Sequence, residues 1–462
     1  MTNIVPGGFI GVDVFYVISG FLITGILLRE AQSSGRIDLQ QFWAKRLRRL
    51  MPALALVIAA SFPFALLTIS PLMWKDLAWQ AIASMTYVSN FLFAANATDY
   101  FAEDVAQSPF LHTWSLGVEE QFYVLWPILI LLVLVVAKRA NLPVRTVLIF
   151  VFTATIVASF ALSIFLTDAR PEWAFYLLPA RAWEFAAAGL VAAAPASFLD
   201  RGKAAGAVLV TLGLGLLAGG FVLIDAAAPF PGTLAVVPVL GTLLIIVGGT
   251  SADPGNTNAI SKLLSWRPLQ WVGDRSYSWY LWHWPLVVLP GAAFQSDSLW
   301  LKIVGSLCSL GLAAVTYRYV ENRYRKHPKF VSSAQTTFVA AGTVTAAVVG
   351  LAVTVALCAS VMTASPRYES FALARAVVSD QTCDRESTSP GGHRLCEMGD
   401  LGADETIMLI GDSHAGHWKA ALSDAAAANH VRLVVRWMSA CPASGLNVTD
   451  SKGNRLKGCP DF

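Results

Sequence analysis

Runs of about 20 apolar residues, each long enough to cross a hydrocarbon layer of roughly 30 Å, recur along this chain and constrain its fold more than any motif. They fall near 9–28, 52–70, 114–137, 145–167, 181–197, 204–224, 233–250, 272–290, 299–320 and 335–362. Hydrophobic residues fill 55% of the 462 positions and charged residues only 14%. Soluble domains carry roughly 25% charged residues, so this chain lacks the charge to cover a water-facing surface. A net charge of +3 without a basic arm gives no ground for a nucleic-acid partner. The expected fold is an all-α polytopic membrane bundle of about ten spans in the lipid bilayer, followed by a small, incomplete α/β extracytoplasmic domain.

Charge placement sets the sidedness. Arg29, Arg36, Lys45, Arg46, Arg48 and Arg49 follow the first span, and alternate loops carry Lys138, Arg139 and Arg145; Arg201 and Lys203; Lys262 and Arg267; and Arg323, Arg325, Lys326 and Lys329. The intervening loops carry Asp99, Glu103, Asp104, Asp168, Glu172, Asp225 and Asp297 instead. The positive-inside rule puts the basic set in the cytoplasm. The alternation survives only if the apolar stretch 77–95, interrupted by Gln80, Ser84, Ser89 and Asn90, lies re-entrant or interfacial on the outer side. Met1 to Gly8 and everything after residue 362 then lie outside. An outward start predicts an earlier span absent from this sequence. Residues 1–330 read as the membrane domain, 331–365 as a final linking span and 366–462 as a periplasmic domain.

In that last segment, 363–400 reads as a polar connector, 406–410 as a buried strand, 415–429 as a helix and 431–435 as the next strand. Cys383, Cys396, Cys441 and Cys459 fall here, an even set in a disulfide-permissive space, which predicts two disulfides without fixing their pairing. Cys308 and Cys358 sit inside apolar runs and read as small buried hydrophobes.

Leu409-Ile410-Gly411-Asp412-Ser413-His414 puts a Ser on a strand-to-helix turn, where helix-start N–H groups can hold an oxyanion. The plainer reading is a helix N-cap. The block Gly411-Asp412-Ser413-His414 resembles the first block of SGNH hydrolases, which implies Ser413 as nucleophile with Asp412 beside it. Its Asp-x-x-His partner is expected beyond residue 462.

Four further blocks lie in order along the membrane part. Pro6-Gly7-Gly8 leads to Asp13 near the outer end of a span, and Lys45-Arg46-Leu47-Arg48-Arg49 forms a basic inner mouth. His112-Thr113-Trp114-Ser115 opens a span carrying Glu119 and Glu120, and Tyr277 and His283 lie in an aromatic span. Together they resemble the acyltransferase family 3 membrane proteins over roughly residues 6–330, and with the tail the chain resembles the fused acyltransferase-3–SGNH type. The resemblance implies a base-bearing His on a span upstream of Pro6, which agrees with the charge argument for an absent span. It also implies acyl transfer from cytoplasmic acyl-CoA, acetyl-CoA first of all, to a cell-surface polysaccharide such as O-antigen, peptidoglycan or exopolysaccharide, from a bacterial inner membrane.

Ionisable groups within a span are costly and mark function. Asp13, His112, Trp114, Ser115, Glu119, Tyr277 and His283 are the expected lining of the membrane site. Glu119 and Glu120 point about 100° apart, and the family pattern favours Glu120 as the catalytic acid. Arg46 and Arg49 share a helix face at i and i+3, a spacing suited to two phosphate oxygens of the acyl donor; the bland alternative is plain positive-inside charge. For His283 an interfacial hydrogen bond among Trp282 and Trp284 is the simpler reading, and Arg181 with Glu184, like Glu321 with Arg318, reads as a helix-end salt bridge. No bound cofactor is expected, and no Cys/His spacing calls for a metal. The competing functional class is a secondary transporter with a periplasmic sensor or binding tail, using Asp13, Glu119 and Glu120 as ion sites; an inactive fragment is the third.

Overall fold

The structure is a computed structural model that describes residues 6–96, 108–195, 202–225, 227–250, 259–296, 298–365, 368, 383–388, 394–411 and 413–437. Asp99, Glu103, Asp104, Arg201, Asp297, Asp412, Cys441 and Cys459 lie outside the described residues. The chain divides into two compact units, Met1–Ala359 and Ser360–Phe462.

In the first unit the helices run α1 Gly11–Ser34, α2 Leu39–Thr68, α3 Trp74–Met85, α4 Ser89–Ala95, α5 Trp114–Ala140, α6 Val144–Ala169, α7 Pro171–Tyr176 and α8 Leu178–Ala192. They continue as α9 Gly202–Leu223, α10 Val236–Gly249, α11 Ala259–Leu264, α12 Arg267–Phe294, α13 Leu299–Thr316, α14 Asn322–Lys326, α15 Pro328–Ser332 and α16 Ala334–Thr363. A π-helical turn, Tyr317–Glu321, joins α13 to α14. Among the described residues, seven helical stretches are long and apolar enough to cross a membrane. The other three expected spans are helical too. α8 has 15 residues and α10 has 14, about 22 and 21 Å at 1.5 Å per residue. α12 has 28 but is interrupted by polar side chains. The count of ten is therefore approximate, because three helices are too short or too polar to pass as spans on their own.

The stretch 77–95 breaks into α3 and α4, of 12 and 7 residues, roughly 18 and 10 Å long. Tyr87 between them sits at φ 58°. Neither piece crosses a 30 Å layer, as the charge alternation requires. Local chemistry sets the ends elsewhere. Gly35 closes α1 at φ 71°, the left-handed position glycine favours. Asp38 caps α2 by accepting from the Gln41 N–H at 2.9 Å. Asn141 closes α5 in the left-handed region with Lys138 and Arg139 in its last turn.

The core lies where α1, α5, α6 and α8 meet. Phe122 stacks on Phe185 with centroids 4.1 Å apart, and Trp126 on Phe152 at 4.9 Å. Gly20 lets α1 approach α8 closely: a Cβ there would stand 2.5 Å from the Phe185 carbonyl oxygen. Close approach through a small residue is how apolar helices associate in lipid, where hydrophobicity offers no drive. Outward-facing Leu125, Leu132, Phe150 and Leu223 are exposed, a surface suited to lipid and not to water. Cys308 and Cys358 are free and exposed; they face out of the bundle, contrary to the expected burial.

Among the described residues, the second unit holds a four-stranded sheet and the helix α17 Ser413–Ala428. β1 Arg385–Thr388 and β2 Arg394–Gly399 form an antiparallel hairpin inside what reads as mere connector. β3 Thr406–Gly411 and β4 Arg432–Trp437 are parallel, joined through α17, and the order is β1-β2-β4-β3. A small core gathers Cys396, Ala426, Leu433 and Val435. β3 is an edge strand with Ile407, Met408 and Ile410 exposed, so its expected burial does not hold among the described residues. Cys383 and Cys396 are disulfide-bonded, Cα atoms 5.4 Å apart, which ties the residues just before β1 to β2.

Candidate functional site

Three buried polar clusters in the membrane unit hold expected site residues. The first joins α1 to α8. Arg181 Nη1 donates to Asp13 Oδ1 at 2.7 Å and to Glu184 Oε1 at 3.0 Å, while Nε donates to the Phe175 carbonyl at 3.3 Å. Arg181 is 1% exposed and both acids 0%. Its guanidinium lies 5.2 Å from the Phe230 ring centre and 5.5 Å from that of Phe175. Arg181 and Glu184 are thus no superficial helix-end pair; Asp13, 168 residues away from Arg181, completes a buried ion triad.

The second cluster lies on α5. Glu119 and Tyr123, at i and i+4, share a face, and the Tyr123 hydroxyl donates to Glu119 Oε1. Ser19 Oγ, arriving from α1, donates to the same oxygen at 2.7 Å. The Arg46 guanidinium stands over the Tyr123 ring, 4.4 Å from its centre, within cation–π reach. Trp43 Nε1 donates to the Tyr123 carbonyl at 3.0 Å, fixing α2 on α5. Glu120 turns away and feels Tyr87, Tyr277 and Arg46 electrostatically. Its Oε1 and the Tyr87 hydroxyl are buried without a hydrogen-bond partner among the described residues. Buried polar atoms almost always have partners, so these two groups stand open to one. Tyr277 is occupied: its hydroxyl donates to the Leu50 carbonyl at 2.7 Å.

The third cluster brings His112, Ser115, Tyr280 and His283 together. The Tyr280 hydroxyl donates to the His112 carbonyl at 2.6 Å and lies 2.5 Å from Ser115 Oγ. His283 Nδ1 is 2.5 Å from the Tyr280 carbonyl, a local bond of the kind the simpler sequence reading describes, though its partner is not a tryptophan. The two imidazoles meet edge to face with centroids 5.5 Å apart. His112 is 2% exposed, and neither ring nitrogen has a partner within hydrogen-bond limits among the described residues. Beside it lies the Leu281 carbonyl, whose helical donor Pro285 cannot supply. Trp114 is packed against Phe175 and Tyr176, centroids 4.7 and 5.4 Å away.

Among the inner arginines, Arg46 is half-buried and faces the second cluster, while Arg49 is exposed. Arg48, about 200° around the helix from Arg46, turns the other way and donates to the Phe330 carbonyl at 2.7 Å. Glu321 accepts from Ser278 Oγ at 2.7 Å, a contact between α12 and the π turn where a salt bridge with Arg318 reads from the sequence. Ser413 opens α17 immediately after β3; Asp412 lies outside the described residues. Sequence reasoning passes over Ser19, Tyr87, Tyr123 and Tyr280. Only Tyr123 leaves a trace, its i, i+4 spacing from Glu119; the others arrive through tertiary contact. Among the described residues no three His, Cys, Asp or Glu side chains are grouped to hold a metal.

Carboxylates, imidazoles and phenols gathered in a dry interior can accept a proton and stabilise a developing oxyanion. An acyltransferase-domain family model matches residues 2–363, the stretch holding all three clusters. The chain belongs to the acyltransferase 3 family. The SGNH domain found fused to these acyltransferase domains matches residues 382–462. Peptidoglycan O-acetyltransferase OatA of Listeria monocytogenes is 31% identical over 331 residues, covering 70% of this chain and 52% of that protein. Putative peptidoglycan O-acetyltransferase YrhL of Bacillus subtilis is 31% identical over 336 residues, with 70% and 51% covered. O-acetyltransferase OatA of Staphylococcus aureus is 33% identical over 340 residues, with 69% and 53% covered. The chain spans about half the length of these curated relatives. No solved structure matches it. With its apolar helices, this acyltransferase 3 family member is a multi-pass membrane protein whose C-terminal SGNH domain is extracytoplasmic.

Proposed function

We propose that this protein is a membrane O-acyltransferase that draws an acetyl group from cytoplasmic acetyl-CoA and delivers it to a hydroxyl of a cell-surface polysaccharide. Peptidoglycan, which appears in the names of two relatives, is the first acceptor to try. In this reading residues 1–330 carry the transfer site, 331–365 link it to the outside, and 366–462 present Ser413 there. The observation that carries the proposal is the line of polar groups leading inward from the basic mouth of α2. Arg46 covers Tyr123, Tyr123 binds Glu119, and the neighbouring Glu120 keeps a buried carboxylate oxygen open.

Arg46 and Arg49 hold donor phosphates at the inner face. Glu120 takes the proton of the attacking hydroxyl as its oxygen bonds to the thioester carbon. The Tyr87 hydroxyl donates to the oxyanion; the C–S bond then breaks, and the proton passes to the leaving thiolate. The Ser413 hydroxyl then attacks the ester so formed and frees the first hydroxyl, and the sugar hydroxyl in turn attacks the Ser413 ester and frees the serine. Asp13 and the His112–His283 pair shape the wall of this site.

The test is polysaccharide O-acetyl content in cells making Arg46→Ala/Arg49→Ala protein. Each arginine–phosphate bond contributes about 1.5–3 kcal/mol, so loss of both is expected to cut acetylation at least tenfold. Unchanged acetylation overturns the donor role. Consumption of labelled acetyl-CoA by purified protein separates this reading from a transporter, which consumes none.

A further inference from the structure

Between α2, the segment Val320–Phe330 and α16 lies a partly open, largely apolar cavity of about 230 Å³. Met51, Pro52 and Leu56 line it from α2, and Ala340 and Val344 from α16. Arg48 closes one end and is only 6% exposed. Its Nη1 is bonded to the Phe330 carbonyl and to Thr337 Oγ1. Its Nε is buried without a partner, and no carboxylate pairs with it among the described residues.

We infer that this groove is a binding site for an anionic glycerophospholipid, its phosphate at Arg48 and one acyl chain laid between α2 and α16. Three observations point to that occupant. A partly open, apolar groove along two helices long and apolar enough to span a membrane suits hydrocarbon, since water finds few partners there. The groove follows α2 from Arg48 to Leu56 and α16 from Thr337 to Val344, about 12 and 10 Å of helix rise, so it is long and narrow like a lipid tail. Its one cation stands at the end nearest the basic inner loops that hold Lys45, Arg325, Lys326 and Lys329, the side where anionic headgroups gather. Because Arg48 and Arg46 point about 200° apart on α2, the lipid site lies on the opposite face from the proposed donor site and does not depend on it.

Native mass spectrometry of the purified full-length protein, with phosphatidylglycerol or phosphatidylcholine of identical chains added, tests this. Wild-type protein is expected to retain phosphatidylglycerol about tenfold better. Arg48→Gln brings the two lipids to parity, and Ala340→Trp, which fills the groove, reduces retention of both. Equal retention of the two lipids by wild type leaves an unspecific lipid coat and overturns the proposal. So does undiminished phosphatidylglycerol binding in Ala340→Trp. Glycerol phosphate without chains binding as tightly as the lipid would make this a bare phosphate site and overturn it too. If Arg48→Gln fails to fold, the wild-type ratio and Ala340→Trp still decide.

Discussion

Two acid pairs within the membrane unit are treated differently. Asp13 and Glu184 share one guanidinium at hydrogen-bond distance, and that cation is itself enclosed by aromatic rings. Glu119 and Glu120 have no such cation. Glu119 is held by two hydroxyls, Glu120 Oε1 by nothing among the described residues, and Arg46, over the Tyr123 ring, makes no ion pair with either. A buried charge without a partner is costly. The first arrangement offsets the charge locally through Arg181 and fastens α1 to α8, though Asp13 Oδ2 and Glu184 Oε2 make no hydrogen bond among the described residues. The second leaves it partly unmet, which makes sense where a substrate group completes the set. Burial of acids alone therefore does not separate architecture from chemistry; the position of the cation does.

Removing that cation gives the largest expected effect. Arg181→Met strands two buried carboxylates, a loss of about 3–5 kcal/mol by analogy with broken buried pairs. Detergent-solubilised protein is expected to give little monodisperse material in size-exclusion chromatography. Arg181→Met combined with Asp13→Asn and Glu184→Gln restores much of it, because no charge is then left unpaired. A single Arg181→Met variant that melts like wild type would dissolve the contrast. Next in size is Glu120→Gln. Its open oxygen makes no contact to lose, so the melting midpoint should hold. Transfer of labelled acetyl groups should nevertheless fall about a hundredfold, the lower range for loss of a general base. Full activity in that variant would return Glu120 to a structural role.

Much of this was legible in the sequence, for a physical reason: hydrocarbon forces long apolar helices, so composition exposes the long helices and loop charge keeps 77–95 from crossing, while the count of about ten stays approximate. Polar contacts within the bundle are another matter. The spacing of Arg181 and Glu184 shows a helical pair, but nothing local reports that Asp13 lies against them across the fold. Ser19 looks like one more small residue in an apolar run until it meets Glu119. Arg48 reads as one basic charge among several, because only the fold shows it turned away from Arg46. In the C-terminal unit the β3–α17–β4 order follows from alternation and turn signals, whereas the β1–β2 hairpin hides in polar sequence whose pairing depends on β4.

A smaller effect is expected at Ser19. Ser19→Ala removes one of the two hydroxyls on Glu119 Oε1 while Tyr123 remains, a loss on the order of 1 kcal/mol. Acetyl transfer should drop about fivefold with KM for the donor unchanged. A shift in KM alone would place Ser19 on the donor path and blur the distinction between the two acid pairs.

The smallest effect belongs to an exposed pair that shows what burial adds. Asp400 Oδ2 lies 3.1 Å from His430 Nδ1, and Oδ1 accepts from the Gly402 N–H at 3.0 Å. The His430 bond, then the Gly402 N–H, hold the Asp400 carboxyl below the usual carboxylate range. A depressed folded-state value means the unfolded chain takes up the proton first on acidification. The stabilisation is therefore present above the ordinary carboxylate range and is lost as pH falls through the depressed one. In water such a pair contributes little. Asp400→Asn in the full-length protein should lower the melting midpoint slightly near neutral pH, and the difference from wild type should vanish in acid. A difference that grows in acid would reverse the sign of the linkage, and one as large as that of Arg181→Met would deny that burial separates these sites.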